Sequence, residues 1–127
     1  MSRLRVLIAD DNKAFREVLV SKLSKEYDDI TAVADGGEAI AAAKSLNPDL
    51  AILDISMPVL NGVEVARQIR QISKRTSVVF LTACTDPDVL NEATETGSLA
   101  CVSKSRLWTD LSPATELALN GPLHRRG

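Results

Sequence analysis

Apolar residues along this chain keep switching between two rhythms, short continuous runs and helical spacing. Residues Arg5–Ala9 are a compact run of Val, Leu, Ile and Ala and read as a strand. Phe15, Val18, Leu19 and Leu23 then recur at helical spacing and predict an amphipathic helix. Residues 30–34 read as a second, β-branched strand, closed by the turn signal Asp35-Gly36-Gly37. The alanine-rich stretch 38–46 is helical by propensity, and Asn47-Pro48-Asp49 stops it because proline disfavours a helical residue before it. Residues 50–53 are continuously apolar, as in a strand buried on both faces of a parallel sheet.

After the loop 55–62, Val65, Ala66, Ile69 and Ile72 predict a third helix, and 77–81 a fourth strand. Asp86-Pro87 opens a fourth helix over 86–96, with aspartate at the N-cap and proline at the first helical position. Its apolar face is thin, and Gly97 ends it. Residues Ala100–Ser103 read as a fifth strand. Leu107, Leu111, Ala114 and Ala118 predict a fifth helix that either starts late or kinks at Ser112-Pro113. Alternating strands and helices imply one α/β domain over residues 1–119. It is a three-layer (βα)5 sandwich, with a doubly wound, parallel five-stranded sheet and right-handed crossovers. Residues 120–127 are polar and linker-like.

That architecture concentrates polar residues at one edge. Ligands of an open parallel sheet bind outside the carboxyl ends of its strands. Asp10 and Asp11 follow the first strand, Asp54 the third, Thr82 the fourth and Lys104 the fifth. Three carboxylates, a hydroxyl and an ammonium suit a divalent cation and a phosphoryl group. Each residue alone has a plainer reading. An Asp-Asp pair is often a solvated turn, Asp54 could cap the next segment, and Thr82 could be an ordinary strand-end residue. A lysine ending a buried strand, however, needs an anionic partner.

Composition narrows the classes. The 127 residues carry a net charge of -2, which argues against a nucleic-acid-binding surface. The two cysteines, Cys84 and Cys101, lack zinc-motif spacing and are expected to be buried, inert thiols. The one histidine, His124, lies in the polar tail, so no Ser-His-Asp triad or multi-histidine metal site can form. No apolar run is long enough for a signal peptide or a membrane span, and a cytoplasmic location is expected.

The segments Val6-Leu7-Ile8-Ala9-Asp10-Asp11-Asn12, Asp54-Ile55-Ser56-Met57-Pro58-Val59-Leu60-Asn61-Gly62, Val79-Phe80-Leu81-Thr82-Ala83 and Ser103-Lys104 occur in that order. Together they resemble the receiver domain of bacterial two-component response regulators, over roughly residues 4 to 119. The resemblance implies a flavodoxin-like fold with strand order 2-1-3-4-5. It implies that Asp54 is the phosphoacceptor and that Asp10, Asp11, Asp54 and the backbone carbonyl of Ser56 hold Mg2+, or alternatively Mn2+. It gives phosphoryl binding and switching to Thr82, the backbone amide of Ala83, and Lys104. A sensor histidine kinase or phosphotransfer protein would supply the phosphoryl group. An output domain or downstream protein would read it. Such a domain is a phosphoacceptor that discharges slowly, not a turnover enzyme. It binds neither nucleic acid nor membrane directly. If it forms a homodimer, the face of the 86–96 helix, the fifth strand and the last helix is expected to mediate it.

Two positions depart from the family pattern. Cys101 stands where members usually carry a switch aromatic, three residues before the lysine. Ser105 stands where proline usually follows it. Ser105 and the run Asn61-Gly62-Val63-Glu64-Val65-Ala66-Arg67 are similar to the subgroup with LuxR-type helix-turn-helix output. The cysteine keeps open a phosphorylation-independent interaction module. An aspartate-nucleophile phosphohydrolase would need an acid where Ser56 stands, and a flavodoxin-like electron carrier would be opposed by the anionic Asp10-Asp11-Asn12 loop.

Overall fold

In a computed structural model the chain folds around five parallel strands. Residues 4–55, 57, 60–82, 91 and 100–119 are described. The order along the chain is β1 (Arg5–Ala9), α1 (Lys13–Leu23), β2 (Asp29–Val33), α2 (Gly36–Leu46), β3 (Leu50–Asp54), α3 (Gly62–Ile72), β4 (Ser77–Thr82) and β5 (Ala100–Ser103). A 3-10 turn (Lys104–Arg106) then leads into a C-terminal helix, α4 (Leu107–Leu119). The sheet order is β2-β1-β3-β4-β5, as the resemblance implies. Apart from residue 91, the expected helix over 86–96 lies outside the described residues, as do Cys84 and the tail 120–127.

Strand alternation sorts the core into two layers. Leu7, Ala51, Leu53, Val78 and Phe80 face α2 and α3, where Ala39, Ala43, Val65, Ala66 and Ile69 meet them. Ile8, Leu50, Ile52, Val79, Leu81 and Val102 face α1 and α4, against Leu19, Leu23, Leu107 and Leu111. The central strands β3 and β4 are therefore buried on both faces, which explains their unbroken apolar runs.

Several element boundaries differ from the sequence expectation. The second strand covers Asp29–Val33, not 30–34, and α2 begins at Gly36, not at residue 38. Asp35 is the reason for the earlier helix start. Its side chain accepts the Glu38 N–H at 2.8 Å, while Glu38 Oε1 accepts the Ala34 N–H at 2.9 Å, a reciprocal arrangement like a capping box. Val18 and Ile72 were expected on buried helix faces, yet both are exposed. The buried stripe of α1 is Leu19 and Leu23, and α3 buries Val65, Ala66 and Ile69. The C-terminal helix starts at Leu107 and continues through Pro113.

Candidate functional site

Strand register brings the site together. Ala9 of β1 lies opposite Leu53 of β3, so Asp10 and Asp54, each one residue further, end up side by side. Asp54 in turn lies opposite Leu81, and Thr82 opposite Ser103. Lys104 follows at the end of β5. Asp10, Asp54 and Thr82 are all buried, whereas Asp11 is exposed.

The loop carrying Asp10 is fixed by α1. Asn12 accepts the Phe15 N–H at 2.9 Å as the helix N-cap, and its own N–H donates to Asp10 Oδ1 at 2.9 Å. The Arg16 guanidinium donates to the Asp10 carbonyl at 2.7 Å. On the Asp54 side, Gly62 closes the following loop. Its N–H donates to the Ile55 carbonyl at 2.8 Å, and a Cβ on it would sit 2.4 Å from the Asp54 carbonyl oxygen. Only glycine allows that approach. Asn61 caps α3 by accepting the Glu64 N–H at 2.9 Å.

Lys104 bridges the two buried carboxylates. Its Nζ lies 2.9 Å from Asp10 Oδ2 and 3.3 Å from Asp54 Oδ2, and 4.5 Å from the centroid of the Phe15 ring. Burial pulls the lysine pKa down, but contact with Asp10 and the charges of Asp54 and Asp10 outweigh it and hold it above the ordinary value. The ammonium reaches Asp10 Oδ2 as an ion pair without the alignment of a hydrogen bond. That oxygen is the one buried side-chain polar atom, among the described residues, left without a hydrogen-bond partner.

Asp10, Asp11 and Asp54 each offer a carboxylate oxygen, and these atoms lie within 4.8 Å of one another. Three hard carboxylate oxygens, one from each of these residues, fit a small divalent cation such as Mg2+. Of the residues expected here, Asp10, Asp11, Asp54 and Lys104 are brought together, and Thr82 ends the strand beside Asp54. Ser56 and Ala83 lie outside the described residues. The backbone of Cys101 pairs with Phe80, and its side chain is not described.

The response regulator receiver domain family matches residues 6–114. The chain belongs to that family. As a receiver domain it is 38% identical over 118 residues to the "Transcriptional regulatory protein PdtaR" of Mycobacterium tuberculosis, a match covering 91% of this chain and 57% of the relative. It is 39% identical over 84 residues to the "DNA-binding response regulator MtrA" of Mycolicibacterium smegmatis, covering 66% of this chain and 36% of that one. The receiver domain thus spans little more than half the length of PdtaR, and less of MtrA. Among solved structures it is similar to a LuxR-family DNA-binding response regulator from Staphylococcus aureus. There the TM-score is 0.82 at 28% identity, covering 89% of this chain and 96% of that one. It is also similar to the response regulator domain of Thermotoga maritima CheB, with TM-score 0.82 at 26% identity, covering 94% and 98%.

Sequence reasoning missed the supporting residues of this receiver domain. Asn12 carries a readable signal, an N-cap residue directly before a helix. Phe15 reads only as a helix residue and Arg16 carries no signal, because their roles depend on where β5 and the Asp10 carbonyl lie in space.

Proposed function

We propose that Asp54 accepts a phosphoryl group from a phosphohistidine on a partner kinase or phosphotransfer protein, and that the phosphorylated domain switches an output. The observation that carries this is the buried Asp54 carboxylate, 3.3 Å from Lys104 and grouped with Asp10 and Asp11. An Asp54 oxygen attacks phosphorus, the phosphorus–nitrogen bond breaks, and the imidazole leaves with its electron pair. Such transfer is governed mainly by positioning and charge stabilisation. Asp10, Asp11 and Asp54 would hold Mg2+, and a cation there supplies positive charge against the phosphoryl oxygens. Lys104 supplies a second positive charge from the side of β5. Thr82, at the end of β4, is placed on the edge where the new charge arrives.

The product is an altered population of two conformations, not a released chemical. The domain is a phosphoacceptor that discharges slowly and works in the cytoplasm. Its output, a domain or a downstream protein, is transcriptional on the analogy of the relatives' names. One observation favours a second reading. Cys101 occupies the strand position where an aromatic usually reports phosphorylation, as suits a module that binds partners without being phosphorylated. Intact-protein mass spectrometry after incubation with Mg2+ and acetyl phosphate separates the two. The expected result is a single phosphoryl adduct, lost in Asp54→Asn and on addition of EDTA. No adduct under any metal condition would favour the constitutive module.

A further inference from the structure

The first turn of α1 grips both partners of the buried ion pair. The backbone N–H of Asn12 and the Arg16 guanidinium fix Asp10, at 2.9 Å and 2.7 Å. Phe15, between them on the same turn, presents its ring to the Lys104 ammonium, 4.5 Å from ring centroid to Nζ. The face of an aromatic ring attracts a cation, more strongly where water is partly excluded. The Lys104 side chain is only 21% exposed, so its contacts with the ring and the two carboxylates are partly shielded from water.

We propose that Phe15 is a positioning residue for Lys104, holding the ammonium between Asp10 and Asp54 so that it is in place when negative charge arrives at Asp54. This rests on the phosphoacceptor reading above. The same contact has an opposing effect on the cation. An ammonium held 2.9 Å from Asp10 competes with a divalent cation for that carboxylate. Phe15 therefore weakens Mg2+ binding and speeds phosphorylation, and the two effects have opposite signs in a variant that lacks the ring.

The test compares wild type, Phe15→Leu and Phe15→Tyr in the full chain. Leucine keeps most of the packing and removes the ring; tyrosine keeps the ring face. Mg2+ affinity is measured by isothermal titration calorimetry, and adduct growth with acetyl phosphate at saturating Mg2+ by intact-protein mass spectrometry. In Phe15→Leu the Mg2+ dissociation constant is expected to fall about two- to five-fold, while the rate of adduct growth falls by a similar factor. Phe15→Tyr should restore both. A general loosening of the fold would weaken both together, and that result, or no change in either, overturns the proposal. Tyrosine behaving like leucine overturns it as well. If wild type takes up no phosphoryl group, the phosphoacceptor reading fails, and the calorimetric shift alone decides whether Phe15 holds Lys104.

Discussion

The two ends of the sheet each bury an aspartate, and they treat it in opposite ways. At the amino end, Asp49 Oδ2 accepts the Arg5 N–H at 2.9 Å and Oδ1 pairs with the Arg75 guanidinium. The Asp49 backbone is engaged as well, donating to Arg5 at 2.9 Å and accepting from Ser77 at 3.0 Å. Beside it, Thr76 Oγ1 donates to the Pro48 carbonyl at 2.5 Å. Every oxygen of Asp49 has a partner, and the partners come from the starts of β1 and β4. At the carboxyl end, Asp10 is at least as buried, yet its Oδ2 meets the Lys104 ammonium only as an ion pair at 2.9 Å, and two further carboxylates crowd it. A saturated buried carboxylate ties strands together. One that shares a single ammonium with neighbouring carboxylates leaves excess negative charge for a cation to offset. Saturation, more than burial or residue type, separates the structural end from the functional one.

The strongest test of that contrast removes the saturated carboxylate. Asp49→Ala strips a hydrogen bond from Arg5 and the ion pair from Arg75, and should cost about 2–3 kcal/mol of unfolding free energy. Urea denaturation with and without Mg2+ measures it. The stability gained from Mg2+ should equal that of wild type, because Asp49 lies at the far end of the sheet. An altered gain would mean that the two ends are coupled and the division is wrong.

The unsaturated end should respond with the opposite sign. Asp11 is exposed and adds charge to a crowded trio. In Asp11→Asn the metal-free protein should become more stable by about 0.5 kcal/mol through relief of like-charge repulsion. The order should reverse in saturating Mg2+, where wild type keeps the extra ligand. Thermal melts in EDTA and in Mg2+ check both halves, and a variant less stable than wild type without metal would contradict the repulsion argument.

How much of this was legible in the sequence follows from which signals are local. Strand runs, their order and the polar residue after each one are local. They suffice to place Asp10, Asp54, Thr82 and Lys104 on one edge. The amino-end fastening was not legible. Asn47-Pro48-Asp49 reads only as a helix stop, since nothing near it in sequence announces that Arg5 and Arg75 converge on Asp49. Phe15 was placed on a buried helix face, which is sound, but its meeting with Lys104 joins residues far apart in the chain. Val18 was misplaced because helical spacing identifies candidates for a buried stripe without saying how wide the contact is.

The smallest expected effect concerns a third fastening at the amino end, Tyr27, in the turn between α1 and β2. Its side chain packs against the core layer that includes α4, and its hydroxyl is hydrogen-bonded to Thr115 of that helix. Burial is the main cause that pushes the phenol above its ordinary value of 10.0; the Thr115 hydrogen bond pulls the other way, and Glu26 and Glu116 add to the rise. The folded protein therefore keeps a proton that the unfolded chain releases. That contribution is fully present below pH 10.0 and is lost as pH rises through the folded value. Lys104, also raised, acts with the same sign from the other end of the sheet, above its ordinary 10.5. Tyr27→Phe separates the two. It should lower stability near neutrality by less than about 1 kcal/mol, through the lost hydrogen bond. It should also flatten the fall in urea midpoint above pH 10.0 without abolishing it. Identical alkaline slopes for variant and wild type would assign the whole fall to other groups, Lys104 first among them.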